Sequence, residues 1–453
     1  MDTDENDLPE PDATEPAAEG SPGHKSTSRF ARFAKLSSMT AGVAARHLTQ
    51  RVVSAFQTEE EAEAARKKHL ESSASTIAAT LGELKGAAMK VGQMLSTDPE
   101  LLPPEITDAL STLQKDAPPM DLPMVRGVIE EALGGVLEDH FTSFSDKPIG
   151  AASIGQVHRA TTTDGQDVAV KVQYPGIADS IESDLKNLGA LLNLARAKLP
   201  RERVDAYLEE VTEVIKREGD YLHEADTLER FQTVLKDVEG VRVPIPVYEL
   251  CRKNVLTMEY IDGVRLSDWL SEQDDDTKTR TGRRVIDAYI EMVHTHGALH
   301  ADPHPGNFLV DKDENVVFLD LGCVRDYDLA FSDGLIAMLV ALWHHDLEAL
   351  QAAWRELGFR DDGVDPEVVY EWLEIALEPL LTDRELDFGA WRVHEAGMQF
   401  VKKNPSILGF APPREAIFYL RVLAGLRGMF AASGVKVNAY RMSREAVKAR
   451  GLM

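Results

Sequence analysis

The sequence has little cysteine, no long apolar run and fewer basic than acidic residues, and each shortage excludes a class of protein. Two cysteines among 453 residues, Cys251 and Cys323, are too few for a disulfide framework and indicate thiols of a reducing compartment. The formal net charge of −27 argues against a general nucleic-acid binder, because phosphate contacts need a basic surface. We therefore expect no nucleic-acid partner.

The apolar stretches predict no membrane-spanning or secretory segment. The most apolar run, residues 334–343, is far too short to cross a bilayer, and residues 416–432 are interrupted by Arg421 and Arg427. The N-terminus is acidic and lacks the apolar centre of a secretory leader. We expect a cytoplasmic protein without a transmembrane segment, and any membrane contact would be peripheral, at the inner face.

The chain before residue 148 divides into a tail and a helical extension, and the extension includes a short helix expected over residues 122–133 and ended by Gly134-Gly135. Residues 1–28 are rich in Asp, Glu, Pro, Ser and Gly, which predicts a disordered acidic tail. The extension, residues 29–147, begins with apolar residues at helical spacing among arginines and lysines, over residues 29–56. Such a basic amphipathic helix can lie on an anionic membrane surface, and packing against its own protein explains the pattern as well.

A second helix of the extension, predicted over residues 72–95, has an unusual outer face. Its apolar stripe lies opposite a face that carries Gly82, Gly86, Lys90 and Gln93. Glycine is costly inside a helix, so two glycines indicate close approach to another surface. We expect Lys90 and Gln93 to face protein or a pocket; a tight helix contact with Lys90 reaching out to solvent is the alternative.

The remainder predicts an α+β fold of two lobes. The first lobe, residues 148–262, has strand signals from about Pro148 and a helical insertion, and the second lobe, residues 263–453, is helical except for a hairpin near residues 312–315. The strands of the first lobe are expected at residues 151–160, 167–172, 241–251 and 254–260. Its helices are expected at residues 177–199, 203–217 and on to about 235, and those of the second lobe at residues 333–357, 366–381, 388–402 and 414–430.

One ordered set of polar residues predicts a phosphoryl-transfer site. Such chemistry needs a cation on the nucleotide phosphates, oxygen ligands for a metal ion and a carboxylate near the attacking oxygen. Lys171 lies within a strand, where a charge is costly unless it is paired. Asp302 is the candidate base, and Asn307 and Asp320 have the oxygens and the spacing to hold Mg²⁺.

The segment Met258-Glu259-Tyr260-Ile261 ends a strand just before a linker, where a kinase hinge offers backbone groups to adenine. Each motif alone is weak: Val-Ala-Val-Lys can end in a surface lysine, and Asp-Leu-Gly can be a turn. His300 and His304 could form a metal site with Asp302, but His300 is better explained as packing of the catalytic loop. The order of the motifs along the chain carries the prediction.

These motifs resemble the UbiB family of atypical protein-kinase-like proteins, over about residues 29–435. The resemblance rests on Lys90-Val91-Gly92-Gln93, on the alanine-rich loop Ala151-Ala152-Ser153, and on Glu218-Gly219-Asp220-Tyr221 followed by Glu224. Simple hairpin packing would also explain the two alanines, and an ordinary solvated helix face would also explain the acidic residues. The family implies a two-lobed kinase-like fold, ATP or ADP with Mg²⁺, and a link to isoprenoid-quinone or membrane-lipid metabolism.

The resemblance also implies roles for single residues. Lys171 would contact the nucleotide phosphates and pair with Glu224, Asp302 would be the catalytic aspartate, and Asn307 with Asp320 would hold Mg²⁺. The loop residues Ala151, Ala152 and Ser153 and the hinge residues Glu259 and Ile261 would complete the nucleotide site.

The Lys-x-Gly-Gln helix would fold over the place where a protein kinase accepts a peptide. There Lys90 and Gln93 would occlude the site, and Lys90 would meet Glu218 and Asp220.

Two departures from ordinary protein kinases have physical consequences. Ala151 and Ala152 lie where glycines are expected, and a Cβ keeps the backbone further from phosphate. The family resemblance implies a bias toward ADP and weak or no protein phosphorylation. Ala301 replaces the arginine of His-Arg-Asp, and no clear Ala-Pro-Glu motif follows Asp320, so regulation by loop phosphorylation is not expected.

We therefore expect an atypical kinase or ATPase whose acceptor is a small or lipid-like molecule. One rival is a phosphotransferase that resembles aminoglycoside kinases, which share the Asp…Asn…Asp layout. The other is a non-catalytic, nucleotide-gated pseudokinase that presents lipids to partner proteins.

Overall fold

The computed structural model describes residues 119–152, 154–176, 212 and 216–452. The segment 29–56, the helix with Lys90 and Gln93, most of the helical insertion, and Ser153 lie outside these residues. The predictions made for them stay predictions.

An antiparallel sheet forms the centre of the first lobe. Its strands are β1 (Phe141–Phe144), β2 (Gly150–Ala152), β3 (Gly155–Thr162), β4 (Asp167–Gln173) and β6 (Val255–Glu259), in the order β1-β3-β4-β6 with β2 on β3. Strand β4 is buried along almost its whole length and carries β-branched Val168, Val170 and Val172, which suit a pleated surface covered on both sides.

Helix α1 (Leu122–Leu133) has the predicted bounds and covers one face of this sheet. Asp121 caps its start by accepting a hydrogen bond from the amide of Met124, and Gly134, at φ 81°, ends it. Its buried residues Val125, Val128 and Ile129 pack into one core with the valines of β4. A four-residue helix, α2 (Leu137–His140), links α1 to β1.

The prediction that strands begin near Pro148 is wrong, because β1 at Phe141–Phe144 already pairs with β3. The sheet therefore includes residues that the sequence analysis assigned to the N-terminal extension. A buried network of side-chain hydrogen bonds also links β3 to Met120 and Ser145, which lie outside the strands. Gln156 on β3 accepts a hydrogen bond from the amide of Met120 (2.7 Å), donates to the Met120 carbonyl (3.3 Å) and donates to Nε2 of His158 (2.8 Å), whose Nδ1 donates to the Ser145 carbonyl.

Helix α3 (Tyr221–Val234) packs beneath the sheet and confirms the helix predicted through Glu224. The long strand predicted over residues 241–251 is wrong. The segment forms β5 (Val241–Arg242), a single antiparallel bridge between Pro246 and Met258 of β6, and a 3₁₀ turn (Tyr248–Leu250). It forms no continuous strand because Pro244 and Pro246 lack the amide hydrogens that a strand ladder needs.

The second lobe begins with short strands that flank residues 300–307, the candidate catalytic segment. They are β7 (Gly263–Arg265), β8 (Ala298–His300), β9 (Phe308–Asp311), β10 (Val316–Phe318) and β11 (Val324–Asp326). The β9–β10 hairpin is the one that the sequence predicted. The β8–β11 pair was not predicted, and β12 (Leu386–Asp387) and β13 (Lys436–Val437) form a further unpredicted pair.

Helices make up the remainder of this lobe. They are α4 (Leu266–Ser271), α5 (Asp275–Ile290) with a π-helical end (Glu291–Thr295), α6 (Leu329–His344), α7 (Leu347–Glu356), α8 (Pro366–Ala376), α9 (Glu378–Leu381), α10 (Val393–Lys403), α11 (Arg414–Ser433) and α12 (Ala439–Ala449). The single helix predicted over residues 333–357 is two, because His345 turns left-handed at φ 50° and Asp346 caps the next helix. Trp354 lies fully buried in the core of these helices.

Among the described helices, α11 alone is long and apolar enough to cross a membrane by length and composition. One face of α11 packs on its own protein through Val422, Leu426 and Phe430, and its Gly425 lies close to the ring of Pro303. Core helices of water-soluble proteins meet the same criterion, so the expectation of no transmembrane segment stays a prediction.

Candidate functional site

Lys171 lies between two carboxylates that come from distant elements. Its Nζ lies 2.8 Å from both carboxylate oxygens of Glu224 on α3 and 3.2 Å from Oδ2 of Asp320. Lys171 and Glu224 are almost completely buried, whereas the Asp320 side chain is 36% exposed. The pairing of Lys171 with Glu224 that the family resemblance implied is present in the structure.

The group of Lys171, Glu224 and Asp320 has one positive charge for two carboxylates, and this imbalance affects its titration. Burial raises the pKa of Glu224 to about 7; Lys171 opposes that shift and the charge of Asp320 adds to it. Burial also disfavours the charged form of Lys171, but the carboxylates of Asp320 and Glu224 outweigh it and hold the lysine pKa well above its usual value. Lys171 is therefore a cation at neutral pH, and the trio has capacity for a further positive charge.

The candidate catalytic loop, residues 300–307, is anchored by a buried histidine. His300, the last residue of β8, is fully buried, and the rings of Phe308 and Phe318 meet it edge-on at 5.8 Å. Its Nδ1 lies 2.9 Å from the hydroxyl of Tyr289. These contacts support the packing role predicted for His300.

Backbone hydrogen bonds shape the segment after Asp302. The Asp302 carbonyl accepts from the amide of His304 (2.8 Å) and from Nδ2 of Asn307 (3.0 Å). The Asn307 carbonyl in turn accepts from the amide of Leu319 (2.9 Å), next to Asp320. The three residues predicted for catalysis and metal binding are thus joined through short backbone links.

The Asp-Leu-Gly turn brings Asp320 against the ion pair. Oδ1 of Asp320 accepts a hydrogen bond from the amide of Gly322 (3.0 Å). A Cβ on Gly322 would lie 3.2 Å from that oxygen and 3.5 Å from a carboxylate oxygen of Glu224. A glycine at this position lets the turn lie close to α3.

The donor set of Asn307 and Asp320 fits Mg²⁺. The amide nitrogen of Asn307 donates to the Asp302 carbonyl, which leaves the amide oxygen as the atom of this side chain that would bind a metal ion, and Asp320 presents a partly exposed carboxylate. Mg²⁺ binds through one or two such protein oxygens together with substrate phosphates and water. No group of three metal-ligating His, Cys, Asp or Glu residues occurs in the described part of the chain.

The alanine-rich loop is a tight hairpin between β2 and β3, in which Ala151 is paired with Gln156 and Ala152 with Gly155. The structure sharpens the comparison with the kinase pattern Gly-x-Gly-x-x-Gly. Gly150 and Gly155 keep the outer glycine positions, so Ala152 is the one substituted glycine and Ala151 lies at a variable position. Both alanines were predicted to replace glycines, and by this spacing only Ala152 does.

The predicted hinge lies at the end of β6, and the side chain of Glu259 forms an ion pair with Arg242. Arg242 donates to Glu259 (2.6 Å) and to Asp311 (3.2 Å), which links the first lobe to the β9–β10 hairpin. Ile261 is buried, and no described residue accepts a backbone hydrogen bond from its amide. Any contact of this segment with adenine would therefore use backbone groups.

Asp220 has a structural role that sequence reasoning missed. Its carboxylate caps α3 by accepting from the amide of Leu222 (3.1 Å). The negative charge of Glu218 lies close enough to make a small contribution to the raised pKa of Glu224. Both residues therefore border the site, while the proposed partner Lys90 lies outside the described residues.

The chain is similar to known proteins both in sequence and in fold. The ABC1 atypical kinase-like domain matches residues 112–354, which is more than half of the chain. The atypical kinase COQ8B, mitochondrial, of Rattus norvegicus is 32% identical over 364 residues, 78% of this chain and 68% of that protein. The chloroplastic protein ACTIVITY OF BC1 COMPLEX KINASE 8 of Arabidopsis thaliana is 37% identical over 280 residues, 60% of this chain.

A solved structure of Rv3197 with erythromycin from Mycobacterium tuberculosis has a similar fold. It matches 86% of this chain and 98% of its own, with a TM-score of 0.60 and 25% sequence identity. The chain spans only 36% of the length of the Arabidopsis relative and 62% of a Synechocystis one. With its α+β, two-lobed kinase-like fold, the chain belongs to the UbiB family, whose members carry the ABC1 atypical kinase-like domain.

Proposed function

We propose that this chain binds ATP or ADP with Mg²⁺ and transfers the terminal phosphoryl group of ATP to water or to a small or lipid-like acceptor. The observation that carries the proposal is the buried ammonium of Lys171 between Glu224 and Asp320, 2.8 Å and 3.2 Å away. A buried, charged lysine with surplus negative charge beside it suits a site that receives a phosphate together with a divalent cation.

Each residue has a role that its surroundings support. Lys171 would orient the nucleotide phosphates, and Asp302, on a loop fixed by its own backbone bonds, would orient the acceptor oxygen and take its proton. Asn307 and Asp320 would hold Mg²⁺, which neutralises charge on the phosphates when bound. The backbone of residues 259–261 and the β2–β3 hairpin would enclose the nucleotide.

The acceptor is proposed to be a small or lipid-like molecule of isoprenoid-quinone or membrane-lipid metabolism. Ala301 is buried and supplies no positive charge beside Asp302, and its amide donates to the carbonyl of Cys323 (2.8 Å). The proposed occlusion of the site by Lys90 and Gln93 would exclude protein side chains. These features favour a small or lipid-like acceptor over a side chain of another protein.

Nucleotide binding and turnover test the proposal together. We expect Mg²⁺ with ADP or ATP at 100 times its Kd to stabilise the protein by about 2.7 kcal/mol, seen as a higher Tm. Asp302→Asn should keep that shift and lower ATP turnover about 10³-fold, because it removes the proton acceptor and leaves Lys171, Asn307 and Asp320 in place. Turnover is measured with and without anionic liposomes.

The outcomes separate the proposal from its rivals. No shift in the wild-type protein at millimolar nucleotide would contradict the nucleotide site itself. A normal shift with equal, negligible turnover in wild type and Asp302→Asn would favour the non-catalytic, nucleotide-gated lipid presenter. Rapid phosphorylation of aminoglycosides would favour the small-molecule phosphotransferase.

A further inference from the structure

Tyr221, the first residue of α3, lies at the centre of the site but has no role in the function described so far. Its side chain is 1% exposed, and Nζ of Lys171 lies 4.9 Å from the centre of its ring. Asp220 fixes the helix start on one side, and the Tyr221 amide donates to the carbonyl of Lys253 (3.0 Å). The ring is therefore held in place beneath the lysine that would bind phosphate.

The hydroxyl of Tyr221 is buried and finds no hydrogen-bond partner among the residues that the structure describes. Burial raises the pKa of Tyr221 above its usual value, so the group keeps its proton and can donate. A buried hydroxyl without an acceptor costs free energy, and its persistence needs an explanation.

Gly155 shows where this hydroxyl is directed. A Cβ built on Gly155 would lie 2.9 Å from Oη of Tyr221 and 2.2 Å from the carbonyl oxygen of Val172. Gly155 is the last glycine of the β2–β3 hairpin, so the hydroxyl lies directly beneath the base of that loop. Any Cβ at this position would move the loop away from Tyr221.

We propose that the Tyr221 hydroxyl donates a hydrogen bond to a phosphate oxygen of the nucleotide that Lys171 binds. This inference rests on the proposed function and adds one residue to its nucleotide site. Gly155 covers the hydroxyl, so a phosphate oxygen would reach it only when the backbone at Gly155 moves aside. Tyr221 is then a nucleotide-binding residue as well as a support for Lys171.

The test removes the hydroxyl alone. In Tyr221→Phe, we expect the affinity for Mg²⁺-ADP, measured by calorimetric titration, to fall about tenfold or more, because a hydrogen bond to a charged phosphate is lost. The Tm without nucleotide should equal or exceed that of the wild type, because the substitution removes an unpaired buried hydroxyl.

Tyr370→Phe is the matched control. Tyr370 is a buried tyrosine of α8, in the core of the second lobe, and its hydroxyl donates to Glu374 (3.0 Å). We expect this variant to have an equal or lower Tm and an unchanged nucleotide affinity.

Two results would overturn the inference. An affinity of Tyr221→Phe within twofold of wild type would show that the hydroxyl does not reach the nucleotide. A lower Tm without nucleotide would show that the hydroxyl already has a partner within the protein. If the wild-type protein binds no nucleotide, the proposed function fails first, and the two failures are thereby distinguished.

Discussion

Lys171 reaches its partners Glu224 and Asp320 across 53 and 149 residues of sequence, whereas Asn307 reaches the Asp302 carbonyl across five. The first half of the site thus needs a strand, a helix and a turn from both lobes to come together. The second half is shaped by neighbouring backbone groups. The first half of the site therefore depends on folding and on charge, and the second half depends on local chain geometry.

The energetic consequences differ in the same way. Charges buried together stabilise each other only while every partner remains, since removal of one leaves an uncompensated charge. A backbone-capped loop loses only a modest hydrogen bond when one side chain is truncated. Substitutions in the two halves should therefore separate effects on stability from effects on the proposed binding of Mg²⁺.

The largest effect is expected from Lys171→Met. It leaves Glu224 buried without a cation, so we expect a loss of about 3–5 kcal/mol in the free energy of unfolding, measured with urea, and no nucleotide-induced rise in Tm. The double variant Lys171→Met/Glu224→Leu should recover most of the stability and none of the nucleotide binding. Equal stability of the two variants would show that the pair is not coupled as the structure indicates.

A smaller, more selective effect is expected from Asn307→Ala. We expect about 1 kcal/mol of lost stability, from the hydrogen bond to Asp302, and about tenfold more Mg²⁺ needed for nucleotide binding, from the lost oxygen ligand. Asn315→Ala is the matched control, because Asn315 donates to Asp311 in the β9–β10 turn. The control should lose similar stability and keep its Mg²⁺ requirement; an equal change in both would contradict a metal role for Asn307.

A further effect is seen only when pH is varied, and it concerns Glu224. The pKa of Glu224 is raised to about 7 in the folded protein from an ordinary 4.5, so between those values the folded protein binds the extra proton and stability falls as pH rises. In Glu224→Gln this contribution is absent. We expect the stability difference, wild type minus variant, to decrease from pH 4.5 to 7 in urea titrations; a difference that rose with pH would mean that Lys171 holds the pKa of Glu224 below its ordinary value.

Strong local patterns allowed the best predictions. The bounds of helix α1 were predicted correctly because two glycines mark its end, and the β9–β10 hairpin was predicted from its turn. Strands β8 and β11 have three residues each, too few for an alternating pattern to show. They form because the segment before Asp302 and the segment after Asp-Leu-Gly lie side by side, which is a tertiary effect.

The site shows the same limit. The identities of Lys171, Asp302 and Asp320 could be predicted from motif order, but the pairing of Lys171 with Glu224 came from family resemblance, since no spacing rule connects them. The sequence could not show that Glu259 pairs with Arg242. It also gave no reason to single out Tyr221, because an unpaired hydroxyl becomes visible only when its neighbours are placed.

The hydrogen bonds between Gln156 and Met120 have a further consequence. Gln156 binds both the amide and the carbonyl of Met120, as a neighbouring strand would, one residue after Gly155. A segment outside the sheet is thereby included in the cooperative unit that opens when the sheet opens. In native-state hydrogen exchange, the Met120 amide should therefore belong to the slowly exchanging class of β3 and not to that of a chain end.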